Sequence, residues 1–347
     1  MGPLAQSCFI SALGMGTLTT LSSHHWLLAW MGLEINTLAI IPLLASNHHP
    51  RAVEAATKYF LTQAAAAALI LFSSINNAWI TGEWDITNLV NPASITLMTI
   101  ALAIKLGLAP FHFWLPDVLQ GSPLMWGLIL TTWQKLAPMS LMLMLSPNLN
   151  SSLLLTMAIL SIMVGGWGGL NQTQIRKILA YSSIAHLGWM AAVIPIFPSL
   201  ALLSLILYII MTSSMFLTFH TLHTTAVSSL ASAWPKTPVI IVLVSLTLLS
   251  MGGLPPLTGF LPKLLILMEL IKQNTIVLPL VMAVSALLSL FFYVRLLYSL
   301  SLTIYPNATI SSTWWRTKPQ TNIITMSTFL IFSSSLLPLS PSIINLF

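Results

Sequence analysis

Runs of about twenty apolar residues follow one another almost without pause, and the charges between them are too few to build a surface that faces water. Of 347 residues, 5% are charged and 56% hydrophobic, against about 25% charged in an ordinary soluble domain. Such a chain must place most of its surface in lipid, where a crossing helix needs about 20 apolar residues. No β-barrel alternation appears. The expected fold is an all-α polytopic membrane protein.

Eleven runs meet the length requirement: 3–22, 26–45, 58–78, 93–120, 124–145, 152–170, 178–196, 200–222, 239–272, 276–302 and 324–342. The connections 46–58, 171–177, 223–238 and 303–323 hold Arg51, Lys58, Arg176, Lys177, Lys236, Arg316 and Lys318. The alternate connections hold Glu83, Asp85 and Lys272. Basic loops stay on the side of synthesis, which puts the N-terminus there and the C-terminus opposite.

Two runs, 93–120 and 239–272, are long and broken by proline. They carry related strings, LAPFHFWLP at Leu108–Pro116 and LPPLTGFLP at Leu254–Pro262. Each lies in the fourth run of a block of five. Five is odd, so the second block enters the membrane the other way round. The chain is thus read as two inverted five-helix repeats, 1–147 and 148–302, each with a broken fourth helix. A loop and one final transmembrane helix follow in 303–347. Broken helices at matching positions of inverted repeats point to a transport path.

Pro110, Pro116, Pro255, Pro256 and Pro262 mark the breaks. Proline cannot donate to the carbonyl four residues back, so Pro110, Pro116 and Pro262 are expected to free those of Leu106, His112 and Thr258. Free carbonyls at membrane depth need water, an ion or a side chain.

Four of the charges within these runs stand out as lying deep. At 1.5 Å per residue, Lys105 lies roughly 18 Å into its run, Lys135 about 16 Å and Glu34 about 12 Å, while Lys263 lies about 14 Å from the far end of its own. Each charge costs at least about 2.5–3.5 kcal/mol at such depth. Together they suggest a lateral polar row. Lysine suits proton transfer there, because burial weakens an amine's hold on its proton and a nearby carboxylate strengthens it; arginine would stay charged. The competing reading is a static buried ion pair such as Glu34–Lys105. His112 and His186 are possible relays or packing histidines. Asp117 is an uptake residue or a helix-end counter-charge.

Other features exclude more than they assign. Net charge is +6, yet no more than two basic residues adjoin, so no nucleic-acid footprint exists. Cys8, the single cysteine, cannot form an internal disulfide, an iron–sulfur cluster or a Cys-rich zinc site, so any redox cofactor belongs to another chain. His220 and His223 have no carboxylate or thiol nearby, and no metal is expected. GGWGGL at 165–170 reads as close helix packing. Asn150, Asn171 and Asn307 match the glycosylation pattern but sit in loops on both faces. The N-terminus has neither a secretory nor a transit-peptide pattern, as expected if the protein is inserted directly or made inside its own compartment.

KLGLAPFHFWLPDVLQGSP (105–123) resembles the signature of the proton-translocating, antiporter-like membrane subunits of respiratory NADH–quinone oxidoreductase. SHHWLLAWMGLEINTLAIIPL (23–43), TWQKLAP (132–138), RKILAYSSIAHLGWM (176–190) and GGLPPLTGFLPK (252–263) are similar to stretches of the same family. The resemblance spans essentially the whole chain and is weakest at 303–323. It implies a subunit of the H+-translocating NADH:ubiquinone reductase, complex I. That subunit would lie in the membrane arm, in the mitochondrial inner membrane, beside other antiporter-like subunits. NADH, FMN, iron–sulfur clusters and ubiquinone would belong to partner subunits. Glu34, Lys105, Lys135 and Lys263 fall at the family's proton-path positions. Relative to longer bacterial members the chain starts several helices later. Synthesis inside the mitochondrion would account for the missing import signal. Two other functions compete: a stand-alone cation/proton antiporter, which would favour a carboxylate-rich ion site, and a structural subunit without a proton path of its own.

Overall fold

The computed structural model describes residues 2–46, 48–231, 238–301 and 323–339. Lys236, Asn307, Arg316, Lys318, the connection 303–323 up to residue 322 and the C-terminal end lie outside the described residues. Among those described, the chain is helical and its only non-helical pairing is two isolated backbone bridges. Six helices are long and apolar enough to cross a membrane, and three shorter apolar ones accompany them. The protein is a multi-pass membrane protein.

Two units divide the chain: residues 1–161 with 190–198, and residues 162–189 with 199–347. The first contains α1 (Pro3–Leu21), α2 (Trp26–Leu44), α3 (Pro50–Thr81), α4 (Pro92–Leu106), α5 (Trp114–Gly121), α6 (Leu124–Thr131) and α7 (Trp133–Met144). Between the units the chain runs through α8 (Ser151–Gly169) and α9 (Ile175–Val193). The second unit continues with α10 (Pro198–Thr221), α11 (Val227–Ala231), α12 (Pro238–Gly252), α13 (Phe260–Lys272), α14 (Val277–Ser301) and α15 (Ile323–Ser335).

In the first unit α1 lies on α2, and α3 packs against α2, α4 and α5. Small residues allow the α1–α2 approach: a Cβ on Gly16 would stand 2.9 Å from the Gly32 carbonyl, and one on Gly32 2.8 Å from that of Gly16. Membrane helices pack closely where such residues meet. The glycines of GGWGGL do the same in the second unit. Gly165 lies against the Ala185 backbone and Gly168 against the Tyr181 ring.

The two breaks are built alike, and glycine makes them. Gly107 and Gly253 take φ of 81° and 83°, a conformation that costs other residues about 1–2 kcal/mol. Gly107 N–H donates to the Ala103 and Ile104 carbonyls and Leu108 N–H to Ala103; Gly253 donates to Leu249 and Ser250 and Leu254 to Leu249. This is a Schellman-type helix end, used twice. A short turn follows, closed by Phe111 N–H to Leu108 and Leu257 N–H to Leu254.

The prolines act differently from the sequence expectation. Pro116 and Pro262 stand in the first turn of α5 and α13, where an N–H has no helical partner to lose. Two of the three carbonyls expected to be free are used: Leu115 N–H donates to His112 at 3.1 Å and Leu261 N–H to Thr258 at 3.3 Å. Pro110, Pro255 and Pro256 are exposed in the turns.

The run 124–145, expected to be continuous, is also interrupted, between α6 and α7 at Thr132. The Thr131 and Thr132 hydroxyls both donate to the Leu128 carbonyl, a contact that bends helices. The run expected to begin at 58 begins at Pro50, so Arg51, Glu54 and Lys58 are helical.

Connecting segments are tied in the same way in each unit. Trp26 N–H donates to Trp84 and Ile86 N–H to His24; Ile175 N–H donates to Thr225 and Val227 N–H to Thr173. The segment leading into α2 thus pairs with the one leaving α3, and the segment leading into α9 with the one leaving α10.

Candidate functional site

In the first unit two of the sequence-predicted lysines line the same cavity. Lys105, in the last turn of α4, and Lys135, in the first turn of α7, are 6% and 3% exposed and line one cavity. The cavity offers about 20 Å³ to a water's centre, room for about one molecule. The two helix ends that bound it are the interruptions at Gly107 and Thr132, so each lysine sits beside a break.

Polar side chains from neighbouring helices complete the lining: Asn36 from α2, Tyr59 and Gln63 from α3, and Gln134 from α7. Gln134 donates to the Asn36 carbonyl at 3.2 Å. Several polar atoms here are buried without a hydrogen-bond partner: Lys105 Nζ, Glu34 Oε2, Asn36 Nδ2 and Oδ1, and Gln63 Nε2. Buried polar atoms are normally satisfied by protein or ordered water, so this cluster is a hydratable one.

Glu34 lies within electrostatic range of Lys105 and Tyr59. It forms no direct ion pair with Lys105; the pairs among the described residues are Lys58–Glu54, Lys58–Asp117 and Lys272–Glu269. The first unit therefore does not hold a locked Glu34–Lys105 bridge.

Asp117 lies on α5, exposed, with its carboxylate 2.9 Å from Lys58 Nζ. It lines a second cavity of about 180 Å³ with Arg51, Glu54 and Gln120. His112 is buried in the turn between α4 and α5, with Nδ1 unpartnered, and is absent from both linings.

Lys263 belongs to the second unit, in the first turn of α13. Its partner, which the sequence did not reveal, is the end of α12: Nζ donates to the Gly252 carbonyl at 2.9 Å and to Met251 at 3.4 Å. A cation there also meets the negative end of the helix dipole. Lys263 lines a cavity of about 340 Å³ together with Trp189, Phe260 and Leu290. Glu269 pairs with Lys272 and not with Lys263. His186 on α9 lies by Tyr208 of α10, ring centroids 5.6 Å apart. Among the described residues no group of His, Cys, Asp and Glu is placed to hold a metal.

Sequence reading passed over Asn36, Tyr59, Gln63, Gln134 and Arg295. Arg295 donates to the Leu170 carbonyl at 2.5 Å. The available signal was simple: each is a polar or ionisable side chain inside an apolar run.

Broken helices that place buried lysines beside a polar cavity define an antiporter-like membrane subunit. The chain belongs to the NADH:quinone oxidoreductase/Mrp antiporter transmembrane family, which matches residues 23–289; residues 290–344 match the NADH dehydrogenase subunit 2 C-terminus. Its relatives include NADH-ubiquinone oxidoreductase chain 2 of Formosania lacustris, 57% identical with all of both chains covered. That of Xenopus laevis is 58% identical, covering 98% of this chain and 99% of the relative. Among solved structures, respiratory complex I from Thermus thermophilus contains a similar chain, with a TM-score of 0.81 and 26% identity over 97% of this chain and 80% of that one. The Mrp complex of Dietzia shares the fold at TM-score 0.77 and 15% identity, covering 87% of this chain and 61% of that one.

Proposed function

We propose that this chain is a proton-translocating subunit in the membrane arm of a respiratory NADH:ubiquinone oxidoreductase. The observation that carries the reading is the shared cavity of Lys105 and Lys135, buried, lined by amides and rich in unpartnered polar atoms. An amine there can be charged while water or Glu34 stabilises it and can release its proton when they do not. Lys105, Lys135 and Lys263 act as proton carriers, with Glu34 setting the charge near Lys105. His112 and His186 are secondary relays.

Electron transfer belongs to other subunits, which hold NADH, FMN, iron–sulfur clusters and ubiquinone. Their chemistry reaches this chain as altered electrostatics or hydration, and neighbouring antiporter-like subunits adjoin it. The setting is the mitochondrial inner membrane, with the N-terminus in the matrix and the C-terminus on the intermembrane side.

The architecture proposed is eleven spans in two inverted repeats, 1–147 and 148–302, with a final helix in 303–347. Its support is the matched glycine helix ends and the matched pairing of connecting segments in the two blocks.

The test is Lys135→Met in the assembled complex, reconstituted in sealed vesicles. The expected result is normal assembly with a lower proton-to-electron ratio. A normal ratio with normal assembly favours a structural role. Exchange activity of the purified chain alone favours a stand-alone antiporter.

A further inference from the structure

Neighbouring residues of α3 and α5 line the two cavities of the first unit. Lys58 lines the outer one and Tyr59, the next residue of α3, lines the inner one. On α5, Trp114 lines the inner cavity and Asp117, one turn on, the outer. Tyr59 and Trp114 are 2% and 8% exposed and meet edge to face, ring centroids 5.7 Å apart. Along both helices, this pair stands at the point where the lining passes from the outer cavity to the inner one.

Both helices are held where they pass the pair. The Trp114 indole donates to the Ile104 carbonyl at 3.1 Å, which fixes the ring at the end of α4. Below it, a Cβ on Gly121 would stand 2.6 Å from the Arg51 carbonyl and from Ala55 Cβ, so α5 lies directly on α3. With the helices in contact, passage depends on the rings.

We infer that Tyr59 and Trp114 form a hydration gate between an outer vestibule at Lys58 and Asp117 and the inner cavity of Lys105 and Lys135. The inference deepens the proton-translocation reading and rests on it for the nature of what passes. Closed, the rings keep the lysines from bulk water on that face. Parted, they let a water chain reach from Asp117 toward Lys105. The Lys58–Asp117 pair places two charged groups at the entrance of that water path.

The experiment uses the assembled complex in sealed vesicles, with Cys8→Ser to remove the exposed native thiol and Gln63→Cys as a reporter in the inner cavity. A small, membrane-impermeant cationic thiol reagent is added to the face bearing Lys58, and modification of the peptide carrying residue 63 is followed without turnover. Slow labelling is expected with Trp114 present, several-fold faster labelling with Trp114→Ala, and an intermediate rate with Trp114→Phe. Unchanged rates in the assembled variants, or faster labelling only from the opposite face, overturn the gate. If Trp114→Ala does not assemble, Trp114→Phe decides alone. Labelling needs no pumping, so a normal proton-to-electron ratio in Lys135→Met defeats the pumping reading while leaving the gate result intact.

Discussion

Asp117 and Lys263 stand at the same register of the two broken helices, each ten residues past a glycine with positive φ, and carry opposite charges. Asp117 makes an exposed ion pair with Lys58. Lys263 turns onto the preceding half-helix and caps the Gly252 carbonyl. One backbone plan has been given two electrostatic uses.

That cap yields the first prediction. Lys263→Met removes a charged donor from the end of α12, an interaction worth about 1.5–3 kcal/mol. Amide hydrogen exchange at Gly253 and Leu254 should speed up by about tenfold or more, since each 1.4 kcal/mol is a factor of ten. Unchanged exchange in the assembled complex would remove the capping role.

Lys105→Arg separates charge from proton release. Arginine keeps the cation but does not give up its proton. Loss of a proton-transfer group typically costs about 10²–10⁴-fold. Proton flux through this chain should fall as far in Lys105→Arg as in Lys105→Met, with assembly preserved. Vesicle acidification during NADH oxidation measures it; full activity of the arginine variant argues for a purely electrostatic lysine.

The two break glycines should tolerate alanine unequally. Both substitutions incur about 1–2 kcal/mol for the left-handed backbone. At Gly253 the new Cβ would also stand 2.9 Å from Lys263 Cδ and Nζ, whereas at Gly107 the nearest atom is Leu115 Cδ1 at 3.1 Å. Gly253→Ala should therefore disturb Lys263 directly and lower thermal stability more than Gly107→Ala, as read by melting of the intact complex. The reverse order would show that side-chain crowding at Lys263 is not the deciding contact.

Gly32→Val tests the α1–α2 seam. Its Cβ alone would approach the Gly16 carbonyl at 2.8 Å and Thr20 Cγ2 at 2.6 Å, and overpacking costs about 1–3 kcal/mol or more. Assembly yield should drop sharply, while valine at the outward-facing Met31 should leave it unchanged. Equal yields would show that the seam opens freely.

Much of this structure can be read from residues. The apolar runs foretell the long helices, and the paired Leu/Pro strings locate both breaks. Buried lysines announce themselves because nothing else in lipid justifies their cost. The cause of the breaks is less legible. Proline draws the eye, but Gly107 and Gly253 end the helices, because only the backbone dihedral separates a capping glycine from a packing one. The bend at Thr132 hides in an unbroken apolar run, and its signal is two adjacent hydroxyls. Tyr59 and Trp114 look like any aromatic residues of a membrane helix. Their importance arises from the meeting of α3 and α5, which spacing along one chain does not encode. The partner of Lys263 was unreadable for a related reason: it is a carbonyl, which every residue has.

The paired connecting segments at His25–Asp85 and Gln174–Ala226 bear on how such a molecule responds to force. Helices whose tips are stitched together by main-chain bonds resist sliding past one another at the stitched ends. A push delivered by a neighbour would then be absorbed at mid-depth, where the rods are cut and the ammonium groups reside.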